Sequence, residues 1–291
     1  MRQMGYHIPE NQLIIVEEGD TISFGKHTFA FIEAPMVHWP EVIMSLDVTD
    51  GVLFSADGFG SFKSMDGKLF ADEVDWERDW LDEARRYLTN IVGKYGPFIQ
   101  DVLKKAAPLL PQVKYICPLH GLVWRDNFGF ILDKYDKWSR YEPEEEGVLI
   151  VYASMYGNTE LMADQLARYL ADEGVRNIEV MDVSKTHESY ILSNCWEKKS
   201  LVLGSCTYNN TVYPVMNNLL NILKMQKLKN HVVSVFGSFG WSGGAVKNLK
   251  EFVEEGKFET TETIVEAKGR MKEEDDQGLR QMAKEIAAKI K

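Results

Sequence analysis

Cysteine is scarce in this sequence. Only Cys117, Cys195 and Cys206 occur among 291 residues, and no two form a Cys-x-x-Cys pair. An odd count without that spacing excludes a disulfide framework and a four-cysteine metal module. It points to a reducing, cytoplasmic setting. Long apolar runs are also missing. None approaches the roughly 18 residues that would cross a bilayer, so no membrane association is expected. Residues 1–11 contain no apolar stretch of the kind a secretory leader needs. Basic excess is absent too. Asp and Glu number 44 against 33 Lys and Arg, a net charge of −11. That balance excludes nucleic-acid binding, which needs clustered cations. There is no Gly-x-Gly-x-x-Gly for a dinucleotide, no internal repeat and no low-complexity tract.

What is present fits two packed domains. Hydrophobic residues make up 45% of the chain, enough for two cores. The opening Gly-Tyr-His-Ile-Pro runs almost at once into an apolar segment, as if the chain were entered within a domain. Short β-segments are expected at 13–17, 21–24, 28–33, 42–46 and 52–55, divided by turns such as Glu18-Gly19-Asp20 and Asp50-Gly51. Helical spacing follows at 79–94, with Leu81, Ala84, Leu88, Ile91 and Val92 on one face. Pro97 opens a second helix, to about 110. A strand at 113–117 and a helix at 127–138 complete this half. Residues 142–147 begin Glu-Pro-Glu-Glu-Glu and read as a linker. From Val148 to Lys291 five strands alternate with five helices. That rhythm predicts an α/β fold with a doubly wound parallel sheet. The expected division is 1–141, 142–147 and 148–291.

Three loops in the second half collect polar and aromatic groups. The first, after strand 148–153, reads Ser154-Met155-Tyr156-Gly157-Asn158-Thr159-Glu160. Free N–H groups and the helix dipole at such a loop favour a phosphate. Ser154, Asn158 and Thr159 add side-chain donors, and Gly157 permits close backbone approach. Alone, Asn158 or Thr159 serves equally well as a helix cap. The second loop is Ser205-Cys206-Thr207-Tyr208-Asn209-Asn210. The third is Gly237-Ser238-Phe239-Gly240-Trp241-Ser242-Gly243-Gly244. In a doubly wound sheet all three meet at one edge, where ligands bind. Tyr208 and Trp241 are candidates to cover a planar ring. A lone Trp is more often a packing residue, and it is the agreement of three loops that favours a site.

In the first half, His38, Asp57 and His120 each follow a predicted strand. Carboxylate can bridge two metals, and imidazole suits iron or zinc. Any one of them alone would read as a polar loop residue. His7 and His27 lack comparable context and read as surface or loop residues.

The three loops together resemble a short-chain flavodoxin domain. With Trp241 in the third loop, they are similar to the flavodoxin domain of flavodiiron proteins. The first half resembles part of that family's metallo-β-lactamase-like αββα domain. His38 and Asp57 are separated by 18 residues, and Asp57 and His120 by 62, in contexts His-Trp-Pro and Ser-x-Asp-x-Phe-Gly. The resemblance implies FMN held by the three loops. It implies two irons, with His38 on one, Asp57 bridging and His120 on the other. The family's first cluster, His-x-Glu-x-Asp, does not occur in this sequence. The di-iron domain is therefore expected to be incomplete at its N-terminal side.

The implied activity is reduction of O2 to water or of NO to N2O. A separate rubredoxin or a reduced deazaflavin would donate electrons, and the protein would act as a head-to-tail homodimer or a dimer of dimers. With three ligand residues, the 291-residue chain is expected to bind FMN and turn over slowly. Two alternatives stand beside this reading. One is an FMN electron-transfer protein with an inert metal half. The other is a zinc hydrolase of the metallo-β-lactamase type, in which the flavin loops would have no role.

Overall fold

A computed structural model describes residues 5–291. The chain forms two sheets that share one hydrophobic core at their junction.

The first sheet comprises β1 (Thr21–Phe24), β2 (His27–Glu33), β3 (Ile43–Asp47), β4 (Val52–Phe54) and β5 (Tyr115–Cys117), in that spatial order. Neighbours are antiparallel except β4 and β5, which run parallel. Strand alternation puts Ile32, Met44, Leu46, Leu53 and Ile116 on one face, all buried. Helices cover that face: α1 (Trp76–Asp79), α2 (Leu81–Tyr87), α3 (Gly96–Ala106) and α4 (Phe128–Ser139). The opposite face carries Phe24, Phe29, Phe31, Phe54 and Tyr115. Phe24, Phe54 and Tyr115 are exposed. Among the described residues this half is therefore one β layer with one helical layer.

Two local expectations fail here. Residues 13–17 are not a strand, and Ile15 is 86% exposed. A strand needs a neighbour for its backbone groups, and no described segment supplies one. The single helix expected at 79–94 is broken. After α2 the turn widens over Leu88–Val92 and tightens over Gly93–Tyr95. The side chains of Thr89 and Asn90 both donate to the Arg86 carbonyl, competing with the backbone ladder. Gly93 then takes a positive φ where a Cβ would strike the Gln226 side chain.

The second half is regular. Strands β6 (Glu145–Ala153), β7 (Ile178–Asp182), β8 (Lys198–Tyr208), β10 (Val232–Phe239) and β11 (Val265–Lys268) pair in parallel, in the order β11-β10-β8-β6-β7. Counting along the chain this is 2-1-3-4-5, the flavodoxin-like doubly wound order. A short β9 (Thr211–Val212) folds back on β8. Helices α5 (Asn158–Asp172), α6 (Glu188–Glu197), α7 (Pro214–Met225), α8 (Ala245–Gly256) and α9 (Glu273–Ile290) alternate with the strands. The central strands are apolar on both sides, as burial between two helical layers requires.

Residues 142–147 do not stand free as a tether. β6 already begins at Glu145, and Glu144 is buried at the junction. Its carboxylate accepts from Arg85, Lys134 and the Trp138 indole N–H. Arg85 also faces Glu197 across the junction at 3.5 Å. Burial alone would favour neutral Glu144, but the two cations outweigh it and hold its pKa below the usual carboxylate range. A charge-rich sequence here reflects a paired network, not solvation. The Trp196 indole donates to the Trp138 carbonyl at 3.1 Å, and its ring lies 5.0 Å from that of Tyr141.

Candidate functional site

The parallel sheet reverses its winding between β6 and β8, and the loops after β6, β8 and β10 meet at that point. They enclose a cleft of about 150 Å³. Ser154, Met155 and Tyr156 line it from the first loop and Asn158 from the start of α5, Cys206 and Thr207 from the end of β8, Ser238 and Phe239 from the end of β10, and Gly240 and Trp241 from the loop beyond it. Ser154 Oγ is buried there with no hydrogen-bond partner. Such a hydroxyl is costly unless something completes it, and a phosphate oxygen would. Gly157, with φ +81°, turns the chain into α5 at its N-terminus. Tyr156 and Trp241 are 88% and 91% exposed at the rim, whereas Tyr208, half-exposed, is not among the lining residues and packs its ring against Tyr213. Large rings left in water beside a cleft suit a planar aromatic guest. The residues present therefore fit a flavin mononucleotide.

Other residues of the three loops act one step back from the cleft. Thr159 is fully buried, and its Oγ1 lies 2.8 Å from Ser238 Oγ, joining the first loop to the third. Ser205 Oγ donates to the Cys206 carbonyl and accepts from Tyr213 N–H. Gly237 lies where a Cβ would press on the Ser205 carbonyl, and Gly243 lies against Glu266. Asn209 forms the turn before β9 with φ +49°. Ser242 is exposed beside Trp241. A fourth loop also reaches the cleft. Gly269, after β11, lines it and donates its N–H to the Phe239 carbonyl at 2.8 Å. A single glycine carried no sequence signal for that role.

A larger groove of about 690 Å³ lies elsewhere, lined by Arg140, Lys199, Lys229 and Lys257 among others. Arg140 and Lys257 cap the C-terminal ends of α4 and α8. Those two offset the carbonyl ends of their helices, Lys199 donates to the Asn230 carbonyl and Lys229 lies over the Tyr141 ring, so each cation has a partner within the protein.

In the first half, His38, Asp57 and His120 converge. His38 follows the turn after β2, Asp57 follows β4, and His120 follows β5. His38 Nε2 lies 3.6 Å from Asp57 Oδ2, and His120 Nε2 lies 3.4 Å from Asp57 Oδ1. These gaps are too long for hydrogen bonds. Two donors bound to one metal at about 2.0–2.2 Å would stand roughly 3.4 Å apart. Each carboxylate oxygen thus faces its own imidazole, and the arrangement fits a carboxylate shared by two metal ions.

Tyr87, on α2, adds a hydrogen bond to this site and was not singled out from the sequence. Its hydroxyl donates to Asp57 Oδ1 at 3.1 Å, and its ring lies 5.6 Å from that of His120. Burial and the nearby Asp57 carboxylate drive its pKa far up, so it remains a donor. Gly60 allows the tight turn there, since a Cβ would crowd the Asp57 and His120 carbonyls and the Tyr87 ring.

His27 is part of β2 and pairs with Asp47, Nδ1 to Oδ2 at 2.8 Å, with Asp50 at 3.6 Å. Asp47 also accepts from Thr49 N–H, so this cluster organises the β3–β4 turn. His7 is exposed.

Known proteins share these features. The flavodoxin family matches residues 150–286. The chain is 33% identical to the anaerobic nitric oxide reductase flavorubredoxin of Escherichia coli O1:K1 over 284 residues, covering 97% of this chain and 58% of that protein. It thus spans rather more than half the length of such curated relatives. The rubredoxin oxygen:oxidoreductase from the anaerobe Desulfovibrio gigas superposes with a TM-score of 0.91 at 31% identity, covering 99% of this chain and 71% of that one. The flavodiiron protein from Giardia intestinalis gives 0.88 at 27% identity, with 95% and 68% covered. The two-part architecture, the loop chemistry and the similarity along nearly the whole chain agree: this chain belongs to the flavodiiron protein family.

Proposed function

We propose that the protein is a flavodiiron oxidoreductase that binds FMN between the loops after β6, β8 and β10 and metal between His38, Asp57 and His120. The pairing of Asp57 with one imidazole at each oxygen carries the metal part of this reading. When bound, FMN accepts electrons singly or in pairs, and two irons supply the centre at which O2 is reduced to water or NO to N2O. Ser154, Asn158 and the backbone at the start of α5 hold the phosphate. Tyr156, Tyr208 and Trp241 flank the ring and exclude water from it. Tyr87 holds the Asp57 carboxylate in place and keeps its own proton.

The names of relatives support both substrates and a rubredoxin-type donor, and a reduced deazaflavin would serve as an alternative donor. A head-to-tail dimer would bring one chain's flavin to the other's metal site. A narrower reading, FMN-based electron transfer with an inert metal half, is favoured by one observation: among the described residues two imidazoles meet the Asp57 carboxylate, a small ligand set for two metal ions.

Anaerobic Fe(II) titration of the flavin-loaded chain separates the two readings. The flavin is then reduced and mixed with NO or O2. Reoxidation that depends on bound iron supports the oxidoreductase. A reoxidation rate indifferent to iron contradicts it.

Trp241 is expected to quench the flavin. In a Trp241→Ala variant with FMN fully bound, flavin fluorescence should rise several-fold over the parent, since an indole at the ring face is an efficient quencher. Equal fluorescence from the two proteins would remove Trp241 from the flavin's surroundings.

A further inference from the structure

The second flavin loop ends in a very small hairpin. β9 contributes two residues, paired Thr207 to Val212 and Tyr208 to Thr211. Asn209 and Asn210 make the turn, both with positive φ, 49° and 60°. That is the signature of a tight two-residue hairpin connection. A ladder of two residue pairs is marginal by itself, so its position depends on what holds it from outside.

Asn248, on α8, does so. Its Oδ1 accepts from Thr211 Oγ1 at 2.7 Å and from Val212 N–H at 3.2 Å. Its Nδ2 donates to Glu251 Oε2 at 3.0 Å, which fixes the amide orientation. Two further ties act in the same sense. Thr207 Oγ1 accepts from Ala245 N–H at 3.2 Å. A Cβ on Gly244 would sit 2.1 Å from the Asn210 carbonyl, so the third loop lies directly on the hairpin turn. Thr207 lines the flavin cleft, and Tyr208, the next residue of β8, is half-exposed with its ring 5.9 Å from that of Tyr213. Asn248 itself does not line the cleft.

We propose that Asn248 is a positioning residue of the flavin cleft, which acts through β9 to set where Thr207 and Tyr208 stand against the ring. The inference rests on the FMN reading. It goes beyond that reading because it assigns to a helix residue outside the cleft the task of shaping the second loop. The oxygen of Asn248 is the working atom, and its N–H2 only orients that oxygen.

The test compares Asn248→Ala, the double variant Asn248→Asp with Glu251→Gln, and Thr211→Val, each as the full chain. The readouts are the FMN dissociation constant, the visible circular dichroism of the bound flavin, and the thermal midpoint of the FMN-free protein. Two neutral hydrogen bonds are together worth about tenfold in an equilibrium constant. Asn248→Ala should weaken FMN by roughly three- to tenfold and change the flavin's circular dichroism. The double variant restores an acceptor without a facing carboxylate, and should return both readouts close to the parent. Thr211→Val, which removes one of the two donors, should fall between. It also supplies the answer if Asn248→Ala does not fold.

A lowered thermal midpoint with unchanged FMN affinity and circular dichroism would reduce Asn248 to a structural residue and overturn the proposal. So would a double variant as impaired as Asn248→Ala. A parent chain that takes up no FMN would remove the flavin reading itself, and is distinguished from those outcomes before any variant is made.

Discussion

Thr159→Asp is expected to raise the FMN dissociation constant by about a thousandfold. Thr159 opens the second position of α5 and is fully buried beside Ser238. A carboxylate there, buried one step behind the cleft, would stand close to a phosphate held at the start of α5 with little water between them. At a separation of about 4 Å and an effective dielectric constant near 20, two like charges repel by roughly 4 kcal/mol, which is close to three powers of ten. The same substitution is mild towards the fold in one respect, because a helix N-terminus favours an acidic side chain. Thr159→Ser keeps the hydroxyl and should bind FMN within a few-fold of the parent. Fluorescence titration of the FMN-free proteins reads the affinities, and thermal melts check that each is folded. A Thr159→Asp variant that is folded and binds FMN normally would move the phosphate away from the start of α5.

Asp57→Ala is expected to weaken Fe(II) binding by more than about a hundredfold, since it deletes the one carboxylate placed between two imidazoles and leaves the Tyr87 hydroxyl without its acceptor. The turn that carries Asp57 should survive. Ser55 Oγ donates to the Gly58 carbonyl, and Gly60 N–H donates to the backbone carbonyl of residue 57, so neither tie uses the carboxylate. Iron retained after anaerobic gel filtration measures the effect. FMN affinity should be unchanged, because the flavin cleft draws on none of these residues. Iron uptake equal to the parent would show that the three residues meet for structural reasons only.

The second half of the chain was the more legible, for a physical reason. A strand buried on both faces must be apolar throughout, and each helix beside it must be amphipathic, so Val148 to Ala153 or Leu201 to Ser205 stand out against their neighbours. The cleft where the three loops meet was legible because small, hydroxyl and aromatic residues gather at three strand ends at once. Gly269 and Asn248 were not, since each enters through tertiary contacts that no local pattern records. In the first half, the segment at Leu13–Glu17 carried strand composition without a partner strand. The helix at Asp79–Lys94 carried helical periodicity, which the side chains of Thr89 and Asn90 interrupt. Glu144 read as part of a linker because a sequence does not show which charges will be paired. His38, Asp57 and His120 were singled out because the set resembles the family's metal signature, and the structure brings both imidazoles to Asp57, whereas Tyr87, between two arginines and a leucine, gave no sign of its hydrogen bond to Asp57.

The account turns on the cleft at the β6–β8 switch point being a mononucleotide flavin site. A competitive equilibrium titration of the FMN-free 291-residue chain with FMN and with FAD tests this most directly. The expected result is one FMN per chain, with FAD bound at least about tenfold more weakly, because the proposed site provides for a single phosphate at the start of α5 and the sequence offers no glycine-rich dinucleotide turn. Failure to take up FMN, or equal affinity for FAD, would contradict it.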